Sequence, residues 1–200
     1  VMGGLATVEA TLYQQSIEDL ILLVDEAPSS GASNSWQNGG EMETNGLELA
    51  LGLNPTSLID LGGLDWNMHM TYYTNESEVT KLTVDPYNYG GFATFLGTYR
   101  IEEGWSPTAI VGADYDADGN HIELGNENPD FRLSFRNSLS FGPLSLSFLI
   151  DHKEGGHAIN LANLIYDLGA TTADYEENGS RTAVLGGGST APYVESTTYT

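Results

Sequence analysis

The sequence contains no cysteine. That excludes a disulfide framework, a thiolate metal centre and a cysteine nucleophile, and leaves the compartment open. Basic residues are scarce as well: six Lys and Arg stand against 28 Asp and Glu, for a net charge of −22. Lysine occurs only at Lys81 and Lys153. A chain this acidic repels nucleic acid and anionic membrane surfaces, so neither is expected as a partner. No apolar run reaches the ~20 residues of a transmembrane helix, and no signal peptide opens the chain. Any segment that crosses a bilayer therefore has to be a β-strand. Helical spacing is confined to residues 158–168, where Leu161, Leu164, Ile165 and Leu168 fit a short helix inside a long loop.

What is present is alternation. In residues 131–141, Phe131, Leu133, Phe135, Leu139 and Phe141 share one face of a strand, and Arg132, Ser134, Arg136, Ser138 and Ser140 share the other. Asn137 is the one polar residue on the apolar side. After Gly142-Pro143 the phase flips to Leu144, Leu146, Phe148 and Ile150. A two-residue hairpin loop requires that flip, because Phe141 then faces Leu144 and Leu139 faces Leu146. Gly142 suits the positive φ that opens a type II′ turn, and Pro143 the negative φ that follows. A soluble sandwich and a membrane barrel share this period. The serines of the polar face fit a crowded lumen better than a solvated surface.

Further strands read at residues 6–13 and 46–53, the second with Leu47, Leu49, Leu51 and Leu53 on one face and Glu48 on the other. Residues 64–73 follow, with Trp66 near one end and Tyr72-Tyr73 near the other, as in the aromatic girdles of a bilayer-spanning sheet. Residues 92–103 and 107–115 read as two more strands around a turn at 104–107. Leu20, Ile21, Leu22, Leu23 and Val24 form an apolar run, and 169–200 is loop with one more strand near its end. Residues 25–40, 74–91, 116–129 and 153 onward read as long polar loops, whereas 54–63, 104–107 and 142–143 are short. About seven strands joined alternately by tight turns and long loops match an up-and-down barrel with one elaborated end.

Several stretches resemble the SusC/RagA family of TonB-dependent outer-membrane transporters. Gly39-Gly40-Glu41-Met42-Glu43-Thr44-Asn45-Gly46-Leu47-Glu48 is similar to that family's N-x-G-x-M-x-N-x-G-(L/V/I)-E signature, shifted by one residue at the front. Asp19-Leu20-Ile21-Leu22 with Pro28-Ser29-Ser30-Gly31 resembles the segment before it, and Asp65-Trp66-Asn67 through Val79 the strand and loop after it. Gly125-Asn126-Glu127-Asn128-Pro129-Asp130-Phe131 resembles the family's G-x-x-x-P-x-(F/Y) lead-in to a strand, and Gly155-Gly156 also matches. The matches fall in family order over residues 10–160. The resemblance implies an all-β, antiparallel transmembrane barrel segment over residues 1–200, taken from the later part of a larger barrel. It implies import of oligosaccharides or peptides with a SusD-like surface lipoprotein, energised through TonB, in the cell outer membrane. Nothing here corresponds to the plug domain or the TonB box, and no terminal strand ends in an aromatic residue. Arg132, Arg136 and Glu48 are expected to face the lumen.

Candidate chemistry is thin. Asp114, Asp116, Asp118 and Gly119 spell D-x-D-x-D-G, the front of a calcium loop, but position twelve is Gly125 in place of Glu and His121 stands where an apolar residue is usual. An acidic solvated turn has the same composition. The four histidines, His69, His121, His152 and His157, lack metal-ligand spacing. Glu102-Glu103 and Glu176-Glu177 are neighbours that a strand would point to opposite faces, so neither is an acid/base pair. Gly186-Gly187-Gly188 lacks the lysine of a phosphate loop. Trp36 and Trp105 are candidates for stacking on sugar rings. No cofactor other than calcium and no catalysis is expected. A soluble, acidic, calcium-dependent β-sandwich for adhesion or carbohydrate binding is the competing expectation.

Overall fold

The computed structural model describes residues 4–91, 93–169, 171 and 189–200. In chain order the strands are β1 (Ala6–Ile17), β2 (Ile21–Asp25), β3 (Asn34–Asn38), β4 (Gly40–Leu53), β5 (Leu64–Leu82), β6 (Tyr87–Tyr89), β7 (Thr98–Ile101), β8 (Ala109–Val111), β9 (Gly125–Asn126), β10 (Pro129–Phe141), β11 (Leu144–Gly155), β12 (His157–Ile159) and β13 (Val194–Ser196). One helix, α1 (Leu161–Leu168), precedes β13; Asn160 caps it by accepting from the Asn163 amide at 3.0 Å.

Five of these strands make one antiparallel sheet in the order β1-β4-β5-β10-β11. Its short connections lie at one end. Asn54 and Pro55 stop β4, and the Asn54 side chain accepts from the Ser57 amide at 3.1 Å to hold the turn. At the same end Gly142, with φ 53°, closes the hairpin in the expected register, Phe141 opposite Leu144 and Leu139 opposite Leu146. The other end carries three excursions. The first is the β2-β3 hairpin, the second a four-stranded sheet β6-β7-β8-β9, and the third holds β12, α1 and β13. Together they form a cap.

The register puts the apolar residues of all five strands on one face. Leu12 pairs Leu47, Leu51 pairs Met70, Met70 pairs Phe135 and Phe135 pairs Ile150. Among the described residues no second layer covers that face. Val8 is 72% exposed, Leu12 81%, Leu144 71% and Leu146 60%. The buried hydrophobic residues lie instead at the cap end: Leu22, Val79, Ile101, Ala109, Ile110, Val111, Leu164 and Tyr193. A soluble sandwich would bury the inner face of its sheet against a partner sheet. Here the long sheet is single-layered and its apolar face is bare, so the sandwich is not the fold. Asn137, the polar exception on that face, is 3% exposed, and its Oδ1 accepts from Trp66 Nε1 at 3.2 Å.

Three expectations need correction. Residues 93–115 supply no wall strands: β7 and β8 pair with each other in the cap sheet. Among the described residues five strands, not seven, make the wall, and the turn at 104–107 lies within the cap. Alternation identifies a strand, but it does not say which sheet the strand joins. Residues 74–82 are not a loop; β5 runs on to Leu82, paired with β4 from residue 40 upward. That upper part has polar residues on both faces, including a Thr44–Ser77 hydroxyl contact at 2.8 Å and a Lys81–Glu41 ion pair at 2.5 Å. The period of two therefore vanishes from the sequence although the strand does not. Likewise β3 and the start of β4 occupy much of 25–40. Glu176-Glu177 and Gly186-Gly187-Gly188 lie outside the described residues.

Candidate functional site

The polar face of the wall carries Glu9, Glu48, His69, Tyr73, Arg132, Arg136, Asp151 and Lys153, placed together by the alternation of five strands in register. Arg132, Arg136 and Glu48 share this face, as expected. Tyr73 lies here too, so of the two neighbouring tyrosines only Tyr72 joins Trp66 on the apolar side, where its ring stacks on Phe131 at 5.5 Å. Near the cap, Asp151 is a hub. Arg132 donates to it through Nε at 3.0 Å and Nη2 at 2.5 Å, Ser134 through Oγ at 2.5 Å and Tyr199 through its hydroxyl at 3.0 Å. The alternation found Arg132. It gave no sign that Tyr199, 48 residues from Asp151, completes the cluster.

The D-x-D-x-D-G loop lies in the cap, where its carboxylates have separate tasks. Asp114 accepts backbone amides from Thr190 at 2.7 Å and Ala191 at 3.2 Å, tying the third excursion to the second. Asp116 accepts from the backbone amides of Asp118 and Asn120 and from the Asn120 side chain, which hold it below the ordinary carboxylate range. The Asp118 backbone amide belongs to that same turn and its side chain is exposed. Among the described residues no group of three or more His, Asp or Glu could hold a metal ion. In this arrangement the pattern forms a turn around Asp116 and a staple at Asp114.

The other candidates are likewise apart. His69 faces the polar side of the wall, His121 is in the cap beside Tyr115, His152 sits against Phe131, and His157 packs beside Gly125. Glu102 pairs with Arg100, while Glu103 accepts from the Leu82 amide, so the two diverge. Trp105 is half-buried and its carbonyl accepts from the Val79 amide at 2.9 Å. Trp36 is 71% exposed on the outer face of the β2-β3 hairpin with Ile21 and Leu23, beside a groove that Tyr87 and Tyr89 line from the neighbouring sheet.

Where β5 rises past the top of β10, the wall opens into a polar cleft of about 420 Å³. Glu76, Glu78, Glu123 and Asp130 line it with Asn75, Ser77, Asn126 and Asn128, and no Lys or Arg does. Burial pushes the Glu123 carboxyl up, against a hydrogen bond from Asn126 that lowers it. Periodicity could not reveal this cleft, because its residues come from a strand end and from two loop stretches far apart in sequence.

The single-layered sheet and its cap agree with the comparisons. Residues 2–148 match the family described as TonB dependent receptor-like, beta-barrel, and the chain belongs to that family. Among solved structures, the RagAB peptide transporter superposes with a TM-score of 0.63 at 18% identity, over 81% of this chain and 20% of that one. The RagAB peptide importer in its closed-closed state gives 0.58 at 19% identity, over 78% and 20%, and in its open-open state 0.54 at 20% identity, over 78% and 19%. The chain thus spans about a fifth of the length of the solved chains it matches. A comparison with curated proteins finds no match. The structure is an antiparallel segment of a TonB-dependent barrel, as the resemblance at residues 39–48 implied; its sheet does not close within this segment.

Proposed function

We propose that this chain supplies part of the wall and part of the outer cap of an importer in the outer membrane. The observation that carries the reading is the bare apolar face of a single-layered sheet whose opposite face is charged and hydroxylated. Lipid satisfies the first face and a water-filled lumen the second. The tight turns then lie on the inner side of the membrane and the cap faces outward. In this reading the wall does no covalent chemistry; Arg132, Arg136, Asp151 and Glu48 give the lumen its polarity, and the cap helps enclose substrate.

The finer reading is uptake energised by TonB, with a SusD-like surface lipoprotein as partner and oligosaccharides or peptides as substrate. The fold shared with RagAB structures supports it and favours peptides. Fractionation of the source cells tests the location: the polypeptide is expected in the detergent-soluble outer-membrane fraction. Uptake of labelled peptides by cells with and without TonB tests the mechanism. A polypeptide found in the soluble fraction, or uptake indifferent to TonB, would refute it.

A further inference from the structure

The cleft beside the upper part of β5 has a structural feature that its acidity alone would not give. β5 and β10 pair only as far as Tyr73 and Arg132. One residue on, Thr74 Oγ1 donates to the Asp130 carbonyl at 2.6 Å and holds the two chains at the foot of the cleft. Above, the Val79 amide donates to Trp105 O at 2.9 Å and the Val79 carbonyl accepts from Gly104 N at 2.8 Å, which closes the top. Val79 therefore points both backbone groups towards the cleft side of β5. In a regular strand every second residue does the same, so Ser77 and Asn75 also point theirs that way. Among the described residues no backbone group meets them there: between Tyr73 and Val79 the edge of β5 is unpaired on this side.

We propose that this edge binds an extended, positively charged peptide segment by strand addition. From Thr74 to Val79 the edge is about 17 Å long at ~3.4 Å per residue, room for four or five residues of extended chain. Asn75 and Ser77 each offer one N–H and one C=O, the alternating donors and acceptors that an added strand needs. A sugar has no such repeat to match them. The charge selects the side chains. Glu76, Glu78, Glu123 and Asp130 line the cleft and, among the described residues, no basic one does, so lysine or arginine side chains on the added strand find carboxylates and acidic ones are repelled. The inference deepens the import reading by naming a substrate class.

The test uses the full-length polypeptide, purified from outer membranes in detergent. The probes are a fluorescent pentapeptide of alternating lysine and threonine, the same peptide N-methylated at alternate residues, and its glutamate counterpart, read by fluorescence anisotropy. The lysine peptide is expected to bind and to weaken with salt, while the methylated and glutamate peptides bind at least about tenfold more weakly, the effect of losing one or two net hydrogen bonds. Ser77→Pro deletes one edge N–H and should weaken binding by a similar factor. Thr44→Ala, outside the cleft, removes the same Thr44–Ser77 hydroxyl contact and should bind as the parent does. Equal binding of the methylated and parent peptides, no binding of the lysine peptide, or unchanged binding by Ser77→Pro would overturn the proposal. So would a Ser77→Pro protein that cannot fold, because proline is tolerated where an edge N–H is free. Binding is read without TonB or a partner protein, so it can fail while uptake survives, and uptake can fail while binding survives.

Discussion

Placing a lysine at Phe135 tests the assignment of faces directly. The apolar face of β5 runs from Leu64 to Tyr72, which at ~3.4 Å per residue is about 27 Å along the strand and roughly 21 Å in height at a 40° tilt, close to the ~25 Å apolar band of such barrels. Its middle is Met68, which pairs with Asn137; Phe135 lies next to that level, between Met70 and Ile150. Phe135→Lys therefore puts a charge near the bilayer midplane, at a cost of about 2–4 kcal/mol. Ser138→Lys, three residues on, faces the lumen opposite Asn67 and Ser147 and should cost less than about 1 kcal/mol. The difference is a shift of roughly a hundredfold in the folding equilibrium. Urea titration of the full-length protein in lipid vesicles, read by the heat-sensitive gel mobility of a folded barrel, measures both variants. Equal costs, or a larger cost at Ser138, would show that the faces have been assigned the wrong way round.

The Trp66–Asn137 pair gives a second test. Trp66→Phe leaves the buried Asn137 amide without its indole donor and should cost about 1–3 kcal/mol, and adding Asn137→Leu should recover most of it; a double-mutant cycle without coupling would dismiss the contact. Asp114→Ala frees the Thr190 and Ala191 amides, so proteolysis near 112–125 should quicken, whereas calcium should leave the parent's cleavage pattern unchanged; protection by calcium would revive the metal loop. His121 is held below its ordinary pKa by burial, with the Arg100 charge adding to the effect. A depressed pKa means that the unfolded loop takes up the proton first. The stability from His121 is thus complete above its unfolded pKa of ~6.5 and declines as pH falls below that. After correction for the intrinsic exchange rate, the protection of residues 112–126 against hydrogen exchange should fall between pH 7.5 and 5.5, and His121→Gln should flatten that dependence.

The hairpin of residues 131–150 was legible in full, register included, because alternation and Gly142-Pro143 each demand the same pairing. Residues 46–53 and 64–72 were legible for the same reason: lipid on one side and water on the other impose a period of two. Where the environment is the same on both sides, as for residues 74–82, the period is lost and the sequence reads as loop. The stretches read as strands at 92–103 and 107–115 hold the shorter strands β7 and β8, whose sheet could not be inferred from propensity. Spacing at 114–118 likewise does not show that the Thr190 and Ala191 amides bond to Asp114.

The sequence by itself determined the period, the turn at Gly142-Pro143 and the sign of the charge, since each follows from neighbours within a few residues. Only the tertiary structure decided that the apolar face has no covering layer, that Asp151 gathers Arg132, Ser134 and Tyr199, and that β5 keeps an open edge at Asn75 and Ser77. These depend on which distant segments meet, and local side-chain chemistry carries no record of that.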